Sequence, residues 1–418
     1  MTATAIPPTA QPDDTPPVLA LGAARLLAGV PQDRPLTHAE HLAATGAPIR
    51  RSQAWLVDAA RRVGLLGRGG AAFPLATKLA AVPAGQATRV LVNGTESEPA
   101  SRKDRVLMRR APHRVIDGAL VVGSALGTRH VTIAVHDRPA AEILAAACSE
   151  RADAHHLAVV LTPGGFVAGE ASALIHAVEG LPAVPDGRRA LPHVSGLGGD
   201  PTFVSNVETF GQLGLLATFG VADYAALGST DEPGTSLVTM LGDVPRPGVA
   251  EVPNGVTLDL LTGPLGDKPA LVGGYHGTWT SITGLRLERR SLRSRGVSWG
   301  AGVLGVLPDT TCSLGEVTRV AHWLAAESAG QCGPCVFGLA SAARDLAALH
   351  SGARVDLGGL RRRLGLVDGR GACGHPGGAV RFIASALDAY ADEVAAHASG
   401  RGCGRPTLGV LPLPWSAA

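Results

Sequence analysis

Three groups of residues have side chains and spacings suited to chemistry. The first is a set of cysteines. Cys332 and Cys335 form a C-x-x-C in ESAGQCGPC, and Cys373 follows 38 positions later in GRGACGHPGG. Thiolates are soft ligands, so a close pair with a remote third suits an iron–sulfur cluster or zinc held in connections between helices. The second is a glycine loop, GLLGRGGAAFPLATKL, over residues 64–79. Gly67, Gly69 and Gly70 let backbone amides approach a bound group closely, as a phosphate requires, and Arg68 and Lys78 add positive charge. Its spacing is neither the dinucleotide G-x-G-x-x-G nor a P-loop, and a plain turn between helices uses the same residues. The third is an acidic loop, NGTESEPASRKDR, in which Asn93, Glu96 and Glu98 follow an apolar run. Two carboxylates one residue apart can orient a ligand or act as acid and base; a solvated acidic loop is the plainer alternative.

The elements that must position these residues follow from the apolar patterning. RVLVN (89–93), VTIAVH (131–136) and LAVVLT (157–162) read as short buried strands. Helical patterns separate them: 112–126, with proline in its first turn, and 139–152. A further helix runs to Glu179 after PGGFVAGE. Strand, helix, strand, helix, strand predicts a parallel sheet with helices on its faces. Ligands of such sheets sit beyond the carboxyl ends of the strands, where NGTESEP and TPGGF lie. Turn formers and alternation predict a small β-rich module from 234 to about 290, and helical periodicity resumes near Leu307. The expected organisation is a tail with one short helix over 1–50, an α/β domain over 51–228, a β module over 229–306 and a helical domain over 307–418.

Composition narrows the classes. The chain has 418 residues, 45% hydrophobic and 17% charged, with a net charge of +2. It is too apolar to be disordered and too nearly neutral for general nucleic-acid binding. The most apolar stretch, Val297 to Pro308, is too short to span a bilayer, and the start lacks the pattern of an export signal. A cytoplasmic location is expected. Six cysteines in such a chain suggest a metal site plus bystanders, with Cys148 and Cys312 read as packing residues. The histidines, His113, His155, His156, His193 and His276 among them, form no metal set in the sequence, and no hydrolase triad appears.

GRGGAAFP, VNGTESEPASRKDR, GGFVAGEASALIHAVEG and PTFVSNVETF occur in that order. Together they resemble the NADH-binding flavoprotein subunit of respiratory complex I and its relatives in formate dehydrogenases and soluble hydrogenases, over about residues 50–400. NGTESEP is also similar to a loop of the C subunit of Rnf-type complexes. The resemblance implies a Rossmann-like FMN-binding domain, a ubiquitin-like β-grasp domain that binds soluble ligands, and a helical iron–sulfur domain. It assigns Gly67, Gly69, Gly70 and Lys78 to the flavin phosphate loop. Asn93, Glu96 and Glu98 become contacts to the flavin and nicotinamide rings. Phe73 and Phe166 become aromatic neighbours of NADH, Gly169 and Glu170 the first half of a Gly-Glu-Glu, and Ser205 and Asn206 a pair beside the flavin.

Departures from the family pattern refine the expectations. Ala171 replaces the second glutamate of Gly-Glu-Glu, and Arg188, next to Arg189, stands where the family has lysine. Losing a carboxylate and gaining guanidinium groups is the change that admits a 2′-phosphate, so weakened NADH binding is expected, with NADPH or a non-nicotinamide electron source as the alternative donor. Ala329 occupies the first cysteine position of the family's cluster motif. Cys403 folding back as fourth ligand, a [3Fe–4S] cluster, a [4Fe–4S] cluster with a non-cysteine ligand such as His375, and an empty or zinc-filled site are the arrangements this leaves. The expected activity is electron transfer from a nicotinamide nucleotide through FMN to the cluster. Onward partners are a ferredoxin, another iron–sulfur subunit or a membrane redox partner. A redox-inactive scaffold that docks partners through the β module is the alternative.

Overall fold

A computed structural model of the chain describes residues 14–187 and 190–414. Its strands, in chain order, are β1 (Val18–Leu19), β2 (Arg89–Gly94), β3 (Val131–Val135), β4 (Ala158–Leu161), β5 (Thr202–Asn206), β6 (Thr235–Gly242), β7 (Gly248–Pro253), β8 (Ala270–Val272), β9 (Thr278–Thr280) and β10 (Val303–Val306). The apolar runs predicted as strands form the parallel sheet β4-β3-β2-β5, a Rossmann-like arrangement. Strand β5 has no clear signal in the sequence, because TFVSN is short and buried through most of its length, without alternation.

The order β4-β3-β2-β5 reverses direction between β2 and β5, and a crevice opens at such a switch point beyond the carboxyl ends. Register places Asn93 opposite Asn206 at that edge, with Val92 opposite Ser205. The face behind is sealed by helices Pro112–Ala125 and Val207–Ala225. They pack with backbones nearly touching: a Cβ on Gly118 would lie 1.9 Å from the Phe210 carbonyl oxygen. Only glycine permits that approach, and it draws the sheet and both helices into one core.

The second sheet, β1-β7-β6-β10-β8-β9, occupies the stretch expected as a β-grasp domain. It also recruits the N-terminal segment expected as a tail. Val18–Leu19 pair in parallel with Val249–Ala250, and the Arg25 and Leu27 amides donate to Glu251 Oε2 at 2.8 and 2.9 Å. Two apolar residues after a proline-rich stretch carry no periodic signal for this pairing.

The helical region comprises Ser313–Ala326, a π-helical turn Pro334–Leu339 continuing into Ala340–His350, Leu357–Val367, His375–Ala389 and Ala391–Ala398. The periodicity of the final apolar run predicts one helix; the structure breaks it at Tyr390. Helix Leu357–Val367 goes beyond the expected elements, because LGGLRRRLGLV is rich in glycine and arginine. Among the described residues, no helix is long and apolar enough to cross a membrane.

Candidate functional site

The glycine loop reaches the switch point between β2 and β5. A Cβ on Gly69 would lie 3.1 Å from the Asn206 Cβ, tight enough that Asn206 would have to give by a few tenths of an ångström. Gly70 has φ of +103°, and Ala72, with φ of +48°, is the one non-glycine in the left-handed region among the described residues. Such a conformation costs an alanine about 1 kcal/mol and marks a loop held for a purpose. The Gly67 amide is used internally, donating to Phe73 O at 2.9 Å. Among the described residues the Gly69 and Gly70 amides find no protein acceptor. Lys78 is half-buried, and burial alone holds its ammonium below the ordinary lysine value, with no carboxylate brought to it among the described residues. Free amides and an unneutralised cation on the same stretch of chain are the donors that the phosphate of FMN needs.

Arg68 departs from the expectation. Its Nη2 donates to Thr235 O at 3.1 Å, and its Nε lies 3.9 Å from Glu208 Oε1. The buried Glu208 carboxylate and the Thr235 carbonyl hold the guanidinium at the second sheet. Phe73 stands 51% exposed at the loop's rim.

The two glutamates of the acidic loop are not free acid–base groups. Glu96 caps helix Lys103–Arg110: its Oε1 accepts from Asp104 N at 2.9 Å and Ser101 Oγ at 2.6 Å, and its Oε2 accepts from Arg105 N at 2.9 Å. Glu98 points into the second sheet, where its Oε2 accepts from Tyr275 N at 2.7 Å and its Oε1 from Ala100 N at 3.1 Å. Burial pushes the Glu98 carboxyl up to about 7, against the lowering effect of those amides. Orphan amides at a helix start and at the β8–β9 turn draw the two side chains in, which spacing alone does not reveal. Asn93 is placed as expected at the sheet edge: its Nδ2 donates to Gly169 O at 2.8 Å, and its Oδ1 accepts from Thr95 N and Oγ1.

The loop after β4 joins this edge to the helical region. Glu170 caps helix Ala171–Val178, accepting from Ser172 N at 2.9 Å and Ala173 N at 3.2 Å. Phe166 does not project over the crevice. Its ring meets His276, Trp323 and His375 with centroids 4.6, 5.2 and 5.4 Å apart, and its amide donates to Glu327 Oε2 at 2.6 Å. An apolar ring without the usual tyrosine hydroxyl packs into this aromatic pocket. Ser205 is buried; Asn206 caps helix Val207–Ala225 through Thr209 N at 3.3 Å. Arg188 lies outside the described residues.

The thiols of Cys332, Cys335 and Cys373 come together in the helix connections. Burial pushes the Cys335 thiol up to about 12, and the charges of Cys332 and Cys373 add to that effect. Neighbouring thiols that resist ionisation are the donor set that iron, by supplying positive charge, would deprotonate and bind. Neither expected fourth ligand is there. Both His375 ring nitrogens are engaged, with His276 Nε2 at 3.1 Å and Leu324 O at 2.8 Å, which also gives His276 a partner that the sequence does not show. Cys403 lies in a different group with Cys312, Glu393 and His397. The backbone after Gly402 runs along the start of helix Ser313–Ala326, with Pro406 O accepting from Cys312 N at 2.7 Å, and carries Cys403 there. Cys312 is fully buried in the core of the helical region, as expected of a packing residue, and its thiol also belongs to this group. The hydroxyl beside the trio is that of Ser328, next to Ala329.

Comparison with known proteins places both sites in one family. Residues 60–214 match the Nuo51 FMN-binding domain, and residues 315–397 match the NADH-ubiquinone oxidoreductase-F iron-sulfur binding region. The NADH-quinone oxidoreductase F 2 subunit of Rhizobium meliloti (strain 1021) is 30% identical over 377 residues, covering 83% of this chain and 90% of the relative. The F subunit of the Streptomyces coelicolor (strain ATCC BAA-471 / A3(2) / M145) enzyme is 30% identical over 380 residues, covering 83% and 84%. The chain belongs to the NADH-quinone oxidoreductase F-subunit family. Among solved structures, an NAD+-reducing [NiFe]-hydrogenase in its H2-reduced state aligns with a TM-score of 0.75 and 28% identity. That alignment covers 83% of this chain and 63% of the hydrogenase chain.

This member of the F-subunit family also holds a buried charge cluster that the sequence does not disclose. Lys103 Nζ lies 2.8 Å from Asp104 Oδ1 and 2.9 Å from Glu208 Oε2, and Asn206 Nδ2 donates to Asp104 Oδ2 at 2.5 Å. Burial would lower the lysine, but Asp104 and Glu208 raise it above its ordinary value; burial pushes Asp104 up to about 7. A signal exists: the chain has only three lysines, and one of them, Lys103, stands at this cluster.

Proposed function

We propose that the chain is an electron-transfer flavoprotein subunit that takes hydride from NADH or NADPH and delivers electrons singly to an iron–sulfur cluster. FMN, when bound, supplies the exchange between a two-electron donor and one-electron carriers. The Gly69 and Gly70 amides and the Lys78 ammonium would hold its phosphate. Asn93, fixed through Gly169, and Asn206, fixed through Asp104, would bound the ring at the sheet edge. Glu96 and Glu98 act as positioning residues, one capping a helix and the other latching the acidic loop to Tyr275. Cys332, Cys335 and Cys373 would hold the iron.

The observation that carries this reading is the adjacency of the two sites. The loop after β4 supplies Gly169 to Asn93 and, three residues before it, the Phe166 ring to His375, 5.4 Å away and two residues after Cys373. One short loop therefore borders both the flavin cradle and the thiols, as electron transfer requires. For the acceptor, Phe337 (75% exposed) and Leu366 (59%) flank a surface hollow with Arg344, Arg363 and Arg370 close to the Cys335 turn. Such a face suits an acidic ferredoxin or iron–sulfur subunit; a membrane redox partner is the alternative.

Flavin, iron and sulfide content of anaerobically purified protein, followed by reduction with NADH and NADPH side by side, tests the proposal. Bound FMN that bleaches with either nucleotide is expected. Colourless protein that takes up neither flavin nor iron on reconstitution would favour the scaffold reading, which Ala329 supports.

A further inference from the structure

The helical region holds a second convergence of ligating side chains, which the electron-transfer reading leaves unused. The sulfurs of Cys312 and Cys403, a carboxylate oxygen of Glu393 and a ring nitrogen of His397 all lie within 4.8 Å of one another, and Cys312, Glu393 and His397 are buried. Cys312 Sγ is 3.2 Å from Glu393 Oε1 and 3.5 Å from His397 Nε2. Tetrahedral zinc with Zn–S of about 2.3 Å and Zn–N of about 2.0 Å has a sulfur–nitrogen edge of about 3.5 Å. The spacing is thus close to a coordination polyhedron before any ion is considered. We propose that Cys312, Glu393, His397 and Cys403 bind one zinc ion, as a structural site distinct from the iron–sulfur cysteines.

The surroundings are arranged as such a site needs. His397 Nδ1 faces His350 O at 2.9 Å; donating its proton there leaves Nε2 as the lone pair toward Cys312. Gly315 N donates to Cys312 Sγ at 3.2 Å, which favours a thiolate. Glu393 Oε1 accepts from Leu314 N at 2.9 Å, and its Oε2 pairs with Arg405. Two thiolates and a carboxylate carry three negative charges, which the ion and the Arg405 guanidinium together neutralise. As the Zn–S bonds form, the two thiol protons pass to solvent. Sulfur and imidazole donors select zinc over magnesium or calcium, and four protein ligands leave no open position for catalysis.

Position explains what the ion would do. Cys312 precedes helix Ser313–Ala326, whereas Cys332 follows its far end, about 20 Å away along the axis. Cys403 comes from the C-terminal segment, which Glu316 also grips through Gly409 N, Val410 N and Leu411 N at 2.6, 3.1 and 3.2 Å. Zinc would rivet that segment to the first and last helices, holding Pro412 O against Tyr275 Oη, 2.6 Å away, and so bracing the turn that receives Glu98.

Zinc content and the zinc-edge X-ray absorption of the full chain, expressed without a metal-binding tag, test the proposal; the readout is specific for zinc whatever iron is present. Expected are one zinc per chain, two sulfurs at about 2.3 Å and two nitrogen or oxygen neighbours at about 2.0 Å. Cys403→Ser should lose most of the zinc and keep its iron. A chain without zinc from zinc-replete cells, a shell lacking sulfur, or zinc unchanged in Cys312→Ser and Cys403→Ser would each overturn it. So would an intact mass showing a Cys312–Cys403 disulfide. Should the variants fail to fold, the absorption spectrum of the unaltered chain still decides.

Discussion

The side-chain amide of Asn93 donates to the carbonyl of Gly169 at 2.8 Å, tying the loop after β2 to the loop after β4 at the carboxyl edge of the sheet. The same side chain accepts from Thr95 N at 3.1 Å, so one residue fixes the shape of both walls of the crevice. Asn93→Ala leaves a carbonyl and an amide half-buried without partners, a loss of about 1–2 kcal/mol in stability. Flavin affinity, read by fluorescence quenching on titration with FMN, should fall about tenfold or more, since disordered walls must be reordered on binding.

Lys78 opposes stability and binding to each other. Its ammonium is partly withdrawn from water, and burial holds it below its usual value. Lys78→Met keeps the length of the side chain and removes the desolvation cost, so the flavin-free variant should melt no lower than the parent. Its FMN affinity should fall about ten- to a hundredfold, the worth of one charge-assisted contact to phosphate. Affinity for riboflavin, which lacks the phosphate, should hardly change. Equal losses for both flavins would place the lysine elsewhere than the phosphate.

Glu98 should make stability fall as pH rises. Its carboxyl is 8% exposed and burial pushes it up to about 7 in the folded chain, from an ordinary value near 4.5. The folded state therefore binds a proton more tightly than the unfolded one. The stabilisation is complete below about 4.5 and is lost as pH passes through about 7, on the order of 3 kcal/mol in all. Glu98→Gln cannot titrate, so denaturant melts of the two proteins should converge or cross over that interval. Asp104, pushed up to about 7, titrates in both and cancels in the difference. A difference independent of pH would mean an unperturbed Glu98.

Gly118 sets the spacing of the two helices behind the crevice. A methyl group there would lie 1.9 Å from Phe210 O, a backbone atom that cannot swing aside. Gly118→Ala should cost about 1–3 kcal/mol or more, seen as a lower denaturation midpoint. Flavin binding should weaken as well, because helix Val207–Ala225 begins at Asn206.

How much of this is legible in the sequence depends on the range of the interactions. Strands β2, β3 and β4 announce themselves as apolar runs, and the helices between them as local periodicity, so the parallel sheet can be written down from residues alone. The glycine loop and the C-x-x-C carry their chemistry in their spacing. What stays hidden is the direction each polar side chain takes. Glu96 and Glu98 read as a pair, yet one turns to a helix start at Asp104 and the other to an amide at Tyr275, 177 positions away. Phe166 reads as a ring over a ligand, yet the pocket formed by His276, Trp323 and His375 captures it. Cys403 can be assigned to either thiol group until the path of the backbone from Gly402 to Pro412 is known. For Glu98, Phe166 and Cys403 the deciding partner is distant in sequence, and no local pattern encodes it; Glu96 turns to amides only eight and nine positions on.

Iron retention should separate the two thiol groups. Cys335 is buried where the π-helical turn begins, under the charges of Cys332 and Cys373. Replacing it removes one of three sulfur ligands from a set in which Ala329 already stands for a fourth, and Cys403 is held in the other group. Cys335→Ala should therefore lose most of its iron and sulfide while keeping bound FMN, because the cradle of Gly69, Gly70 and Lys78 belongs to a different core. Nicotinamide should still bleach the flavin of this variant, but transfer to a one-electron iron–sulfur acceptor should drop by orders of magnitude. Cys403→Ala, whose thiol faces Cys312, should keep its iron and that transfer rate. If instead Cys403→Ala loses iron in proportion, the tail cysteine reaches the cluster after all, and the two thiol groups are one site.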